Sequence, residues 1–369
     1  MKYLIDNDHN IPAYLQLYKQ LRDDIVRGIY PCGSKLPSKR ILADEVGVST
    51  VTIEHAYALL CDEGYIETRQ RSGYFVIFQL NDGFAAAANE EPHPIHHSYH
   101  HESSTAVEFP FSVLAKTMRK VISDFGELML ERSPNTGCIE LRDAISRYLA
   151  RSRGIHVKPE QIIIGAGSEY LYSLIIQLLG RDKKYAIESP SYKKIEQVYR
   201  ASDVQLDKLP LGSDGIDSAS LRTCNADVLH ISPYRSYPSR VTASANKRHE
   251  YLRWAGQGRR FLVEDDFESE FSLSQKAEET LFSHTSHSNV IYMNTFSMTL
   301  SPSFRVGYMV LPECLVTRFE EQLSFYSCTV PTYIQLVLTQ LISNGDFERH
   351  INRVRRSKRK DTSKNISDT

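Results

Sequence analysis

The chain has 369 residues, 41% hydrophobic and 24% charged, with Lys+Arg 44 against Asp+Glu 45. That length predicts two or three domains with ample core, and no apolar stretch approaches the ~18 residues of a membrane span. The polar start MKYLIDNDHN has no signal-peptide pattern. The six scattered cysteines form no CxxC pair, which argues against a zinc ribbon or disulfide framework and suits a reducing cytoplasm.

Residues 11–78 read as one compact unit. Leu15, Leu17, Leu21 and Ile25 lay an apolar stripe along a first helix closed by Gly28. Ser38 is placed to cap a second helix, with Ile41, Leu42 and Ala43 expected to face inward. Gly47 falls where a tight helix–turn–helix corner needs positive φ. Ser49 caps a third helix whose inward face is Val51 or Thr52, then Ile53, Ala56 and Leu60. Thr50, Thr52, Glu54 and His55 point outward near its N-terminus, as a helix entering a major groove requires. YIETRQRSGYFV then alternates around Ser72-Gly73 as a two-stranded wing, with Arg69 and Arg71 near a phosphate or minor groove. Over residues 1–78 nine Lys/Arg face ten Asp/Glu, so DNA binding would rest on the local clusters Lys35, Lys39, Arg40 and the wing arginines.

From Gln79 to Thr105 the sequence loses aliphatics and reads as a flexible linker. Its histidines His93, His96, His97, His100 and His101 could bind a transition metal, but a solvated tether is the simpler reading and no metal site is assigned. From Glu108 helical and strand patterns alternate, as in an α/β domain. Helical pattern covers Phe111–Val121 and Gly137–Arg151; short β-branched runs lie at Gln161–Ile164, Tyr185–Ile187, Val228–Ile231, Phe261–Val263 and Val290–Met293. Residues 349–369 are read as a polar basic tail: from Asp346 to Thr369 there are eight basic and four acidic residues. Such a tail is simply solvated or, less simply, a weak phosphate-binding arm.

In this second unit IIIGAGSEYLYSL reads as strand, Gly-rich turn and helix, with Gly165, Gly167 and Ser168 able to meet a phosphate at a helix N-terminus. FLVEDDFESEF sets Asp265 and Asp266 just past a buried strand, where α/β proteins place ligand sites. Ser297 and Arg305 follow another strand and suit a phosphate, and Tyr192 offers a face for stacking.

These segments carry a resemblance. KLPSKRILADEVGVSTVTIEHAYALLCDEGYIE and RQRSGYFV resemble the winged helix–turn–helix of GntR-type bacterial regulators. The later segments resemble fold-type I pyridoxal phosphate enzymes, and the two in this order resemble the MocR group. The resemblance implies an α/β chain with an N-terminal winged helix–turn–helix (11–78), a His-rich linker (79–107) and an aminotransferase-like large domain (108–348). It implies a cytoplasmic homodimer that binds a double-stranded DNA operator, with an effector not legible in the sequence. DNA contacts fall by position on Ser38, Lys39, Arg40, Ser49, Thr50, Thr52, His55, Arg69, Arg71, Ser72 and Gly73. Cofactor contacts fall on Gly167, Ser168, Ser297 and Arg305 for the phosphate, Asp265 for the ring nitrogen and Tyr192 for the ring face.

Departures from the family pattern bear on the chemistry. Thr50 stands where an arginine is frequent, which changes the bases that could be read. The lysine that links the cofactor follows a serine in the family; here Ser297 is followed by Met298, whose thioether cannot form that link. The resemblance then implies no catalytic residue, and pyridoxal phosphate held non-covalently at most. Phe267 replaces a tyrosine, and Arg240 replaces the glycine of a PTG turn, straining that turn if it is kept. Family members continue into a small C-terminal domain, which this chain is expected to lack. Two other readings stay open: an aminotransferase, which would need Lys193 or Lys194 to reach the ring, and a truncated relic.

Overall fold

The computed structural model describes residues 3–6, 11–69, 72–79, 109–272, 279–284 and 289–367. The histidine cluster of the linker and Arg71 lie outside the described residues. The chain divides into two compact units, Met1–His101 and Glu102–Thr369.

In the first unit α1 (Ala13–Val26), α2 (Lys39–Val46) and α3 (Thr50–Asp62) precede the antiparallel pair β1 (Ile66–Arg69) and β2 (Gly73–Val76). Leu17, Leu21 and Ile25 recur every fourth residue and are buried, so α1 presents one stripe to the core. Ser38 caps α2 by accepting from Ile41 N, and Ser49 caps α3 by accepting from Thr52 N. Gly47 ends α2 at φ 74, a left-handed conformation open to glycine at little cost. Ile53, Ala56, Tyr57 and Leu60 form the buried face of α3. One inward expectation fails, with Ile41 55% exposed, and of the pair Val51 or Thr52 it is Thr52 that is half-buried while Val51 is 56% exposed. Leu42 and Ala43 fill the buried arc of α2, and Val51 precedes the Ile53 stripe by two residues, far around the helix.

The second unit opens with α4 (Phe111–Phe125) and α5 (Ile139–Arg153). It continues through β3 (Ile162–Gly165), α6 (Ser168–Leu179), β4 (Lys184–Ser189), α7 (Lys193–Ala201) and β5 (Gln205–Pro210). Next come α8 (Ser218–Thr223), β6 (Val228–Ile231), α9 (Ala245–Ala255), β7 (Phe261–Asp265) and β8 (Val290–Thr295). It closes with β9 (Gly307–Val310), α10 (Glu313–Leu323), α11 (Thr332–Ser343) and α12 (Asp346–Ser367). Among the described residues the strands form one seven-stranded sheet, ordered β3-β9-β8-β7-β6-β4-β5. Strands β5, β4, β6, β7 and β8 run parallel, and β9 is antiparallel to both neighbours.

Strand alternation divides the core between the two faces. Ile162, Ile164, Tyr292, Tyr308 and Val310 pack with Leu141 and Ile145 of α5 and Leu336 and Leu341 of α11. Their neighbours Ile163, Ile291, Met293 and Met309 pack with Leu171 and Ile175 of α6 and Phe319 of α10. The sheet carries two strands that the sequence patterns did not single out. β5 is an edge strand with a largely solvated pattern, and β9 is a short buried run of four residues.

The polar-tail reading of residues 349–369 is corrected. Asp346–Ser367 is a helix, and Phe347, Ile351 and Val354 are buried along it. Those three recur at i, i+4 and i+7, one helical stripe in an otherwise basic sequence. Mean polarity hid the stripe because three apolar side chains are sparse in a segment otherwise rich in Lys and Arg.

Candidate functional site

In the first unit the caps set the geometry of a helix pair. Ser49 Oγ lies 2.9 Å from Thr52 Oγ1 and takes the Thr52 amide at 3.1 Å, so both side chains are engaged at the N-terminus of α3. Thr50, Glu54 and His55 are exposed beside them, and the His55 ring meets Tyr14 edge-on at 5.7 Å. Lys39 Nζ pairs with Glu54 Oε1 at 3.0 Å across the two helices. Arg40 is exposed on α2. In the wing Arg69 bonds Glu67 at 2.7 Å and lies over Phe75 at 4.4 Å. The Ser72 amide closes the turn on Arg69 O, and Gly73 at φ 110 leaves room for Lys35, whose Cε would be 3.0 Å from an added Cβ. Ser38, Lys39, Arg40, Ser49, Thr50, Thr52, His55, Arg69, Ser72 and Gly73 thus lie on the helix pair and the wing of one unit.

The second unit assembles its candidate site at the C-terminal ends of the parallel strands. Gly167, at φ 90, turns the chain from β3 into α6. Arg305 sits at φ 48, ψ 40, a left-handed conformation costly for a side chain. It directs Nη2 to Glu169 Oε2 at 3.2 Å. A Cβ on Gly167 would lie 3.4 Å from both Arg305 Nη2 and Glu169 Oε2. Ser168 opens α6, and Ser297 is half-buried in the turn after β8 with its amide on Thr295 Oγ1. Lys194 completes the cluster, its Nζ 2.6 Å from Glu169 Oε1. Burial works to raise the Glu169 carboxyl, but Lys194 and Arg305 prevail and lower it.

Asp265 ends β7 and is buried. Its Oδ2 accepts from Tyr172 Oη at 2.6 Å and lies 3.5 Å from His230 Nε2. His230 Nδ1 in turn meets Tyr199 Oη at 2.9 Å. Burial, then the neighbouring Asp265, push the Tyr172 phenol well above its ordinary range. Tyr192 stands at the start of α7, edge-on to Tyr237 at 6.1 Å, with Lys194 Nζ 6.0 Å from its ring centre. Met298 is 42% exposed in the turn after β8. The PTG-turn expectation holds: Arg240 keeps φ 61, and its Nη1 meets both Glu268 oxygens at 3.0 Å.

Sequence reasoning missed Glu169, Tyr172 and His230 as site residues, and singled out Lys194 only as a lysine that could reach the ring. The first two were legible only as an i, i+3 pair on one face of the helix after the Gly-rich turn. The donor set suits a phosphorylated pyridine: a cation beside a helix N-terminus for phosphate and a buried carboxylate for a ring nitrogen. In the turn after β8, Ser297 is followed by Met298, whose thioether carries no amine.

A winged helix–turn–helix followed by an aminotransferase-like α/β unit defines a DNA-binding regulator built on an enzyme fold. The model of bacterial regulatory proteins of the gntR family matches residues 13–76, and that of aminotransferase class I and II matches residues 104–365. The chain is 33% identical over 360 residues to the uncharacterized HTH-type transcriptional regulator YdeL of Bacillus subtilis, covering 95% of this chain and 78% of that protein. It is 27% identical to the probable rhizopine catabolism regulatory protein MocR of Rhizobium meliloti, over 96% of this chain and 76% of that one. It is 25% identical to the pyridoxine biosynthesis regulator PdxR of Corynebacterium glutamicum, over 92% and 75%. Among solved structures, Pyrococcus horikoshii kynurenine aminotransferase in complex with PMP superposes with a TM-score of 0.62 at 24% identity. That match covers 69% of this chain and 68% of the enzyme. The multiple substrate aminotransferase of Thermococcus profundus gives 0.61 at 23%, over 67% of this chain and 64% of that one. These two likenesses establish the fold. The chain belongs to the HTH-type transcriptional regulators of the GntR family, in the MocR group whose winged helix precedes an aminotransferase-like domain.

Proposed function

We propose that this regulator binds its operator as a cytoplasmic homodimer and receives a pyridoxal phosphate-type ligand non-covalently, without transaminating. The observation that carries the reading is Met298, which follows Ser297 in the turn after β8 and has no amine to offer. Bound pyridoxal phosphate supplies an electrophilic aldehyde and an electron-withdrawing ring. Arg305, Gly167 and Ser168 would hold its phosphate, with Ser297 beside them; Asp265 would meet the ring nitrogen and Tyr192 the ring face. With no lysine after Ser297, the site is left with binding and orientation, and a ligand can shift DNA affinity only by binding two conformations unequally.

On the DNA side, the N-terminus of α3 would enter the major groove with Thr50, Thr52 and His55 near base edges. Ser38, Lys39 and Arg40 of α2, Ser49, and the wing residues Arg69, Arg71, Ser72 and Gly73 would position the backbone. A homodimer would supply the two such units that a symmetric operator needs.

Two measurements test the proposal. The first titrates the full chain against a duplex from its own upstream region at fixed salt, with and without pyridoxal phosphate. Saturable binding that outcompetes random DNA, shifted by the ligand, is expected. The second treats the loaded protein with borohydride and maps the labelled peptides: no stoichiometric adduct in the site is expected, whereas Met298→Lys is expected to give one at position 298. A stoichiometric adduct on Lys193 or Lys194 of the unaltered chain would instead favour the aminotransferase reading.

A further inference from the structure

Helix α6 puts two side chains of the same face into the candidate ligand site. Glu169 Oε2 lies 3.2 Å from Arg305 Nη2, and Glu169 Oε1 lies 2.6 Å from Lys194 Nζ. The carboxylate therefore occupies the two cations that stand over the α6 N-terminus, where a ligand phosphate would have to sit. Three residues on, Tyr172 Oη donates at 2.6 Å to Asp265 Oδ2, the carboxylate suited to a pyridine nitrogen. Tyr172 is fully buried. The spacing i, i+3 places both residues over one stretch of the site. An acid stands in for the ligand's phosphate and a phenol for its ring N–H.

We propose that Glu169 and Tyr172 are internal surrogates that fill the two polar ends of the ligand site, so that a phosphorylated pyridine binds only by displacing them. This rests on the ligand reading above and adds which residues limit its affinity. Glu169 opposes the incoming phosphate twice: it neutralises Arg305 and Lys194, and it is a like charge beside a dianion. Tyr172 opposes the ring nitrogen by holding the one oxygen of Asp265 that His230 also approaches. Displacement is feasible at the Glu169 end, where the partners Arg305 and Lys194 are half exposed. It is harder at the Tyr172 end, which is closed to solvent.

The two residues meet different parts of the ligand, so their effects separate by probe. Pyridoxamine phosphate and pyridoxamine suit the test, because neither carries an aldehyde that would label surface lysines. Binding to the full chain is measured by calorimetry, with a thermal melt on each variant. Glu169→Gln is expected to tighten pyridoxamine phosphate about tenfold, by removing a like charge, and to leave pyridoxamine unchanged. Tyr172→Phe is expected to tighten both about tenfold, by freeing a charged acceptor. The double variant is expected to gain about a hundredfold for the phosphate ester, because separate contacts add. Should Tyr172→Phe fail to fold, Glu169→Gln alone still decides the phosphate half. Equal pyridoxamine phosphate affinity in the unaltered chain and both variants would overturn the proposal while the ligand reading stands. No binding by the unaltered chain, by either variant or by the double variant would overturn both.

Discussion

Arg153, at the end of α5, directs its Nε to within 3.6 Å of Asp266 Oδ2 just past β7, and both side chains are shut from solvent. The same guanidinium reaches Glu270 Oε1 at 3.7 Å and donates to the Ser269 hydroxyl. Asn294 and Tyr292 of β8 donate to the same two carboxylate oxygens, Asn294 to Glu270 Oε1 at 2.7 Å and Tyr292 to Asp266 Oδ2 at 2.8 Å. Arg355 of α12 closes the assembly with its Nε on Glu270 O at 2.6 Å. This buried cluster around Arg153 thus ties α5, the segment after β7, β8 and the C-terminal helix together. Its partner Asp266 directly follows Asp265 in sequence, so the cluster fixes the end of β7 from which Asp265 projects.

Removing that cation is expected to be severe. Arg153→Met leaves two buried acids unpaired, a change that typically costs about 3–5 kcal/mol. Urea unfolding of the full chain should show the loss, with the far-UV spectrum of the folded state unchanged. A cost below about 1 kcal/mol would mean that the acids are protonated or hydrated without Arg153.

The docking of α12 predicts a second loss. Ile351 and Val354 are buried, and each buried aliphatic side chain contributes about 1.5–3 kcal/mol. Val354→Asp should lower the unfolding midpoint strongly, while Arg356→Asp, on a less buried position of the same helix, should change it little. Equal effects would return residues 349–369 to the status of a solvated tail.

Stability should fall as pH rises above neutrality. Burial pushes the Glu188 carboxyl up to about 8, although Ser236 and the Ser232 amide oppose it. Burial, with Asp266 nearby, does the same for Glu264, also to about 8. Against an unfolded value of ~4.3, the folded chain retains protons that the unfolded chain has lost, so stability declines between ~4.3 and about 8. His350 acts in the opposite sense: burial lowers it to about 4, and stability gained from it rises until about 6.5, its unfolded value. Above about 6.5 only the carboxyls remain, and the slope is expected to be negative. Glu188→Gln should flatten that slope in urea midpoints taken across the interval; an unchanged slope would remove Glu188 from the account.

On the DNA side, Arg40→Ala should weaken all duplexes about equally and reduce the slope of log affinity against log salt by about 1, as loss of one phosphate contact does. Thr50→Arg, by contrast, is expected to alter base preference, because arginine can pair bidentately with guanine where threonine cannot. Filter binding over a salt series, with a duplex library for Thr50→Arg, separates the two. A sequence-selective loss from Arg40→Ala would instead place that residue on a base edge.

What the sequence determined by itself was everything set by local periodicity and backbone chemistry. The stripe Leu17, Leu21, Ile25, the caps Ser38 and Ser49 and the corner at Gly47 were legible because each depends on residues within one or two turns. The strands β3, β4, β6, β7 and β8 were legible as β-branched runs, Asp265 and Arg305 stood out because residue type limits chemistry before any fold is known, and Met298 stood out only against the family resemblance. Tertiary structure decided what depends on distant partners. Ile41 and Val51 face solvent because their neighbours fill the core first. α12 is docked because three sparse side chains find a surface that a tail would not have. Glu169 and Tyr172 enter the site because Arg305 and Asp265, more than 90 residues away in the chain, are brought to α6 by the sheet. A side chain's partner across such a span is set by strand order and register, which no local pattern encodes.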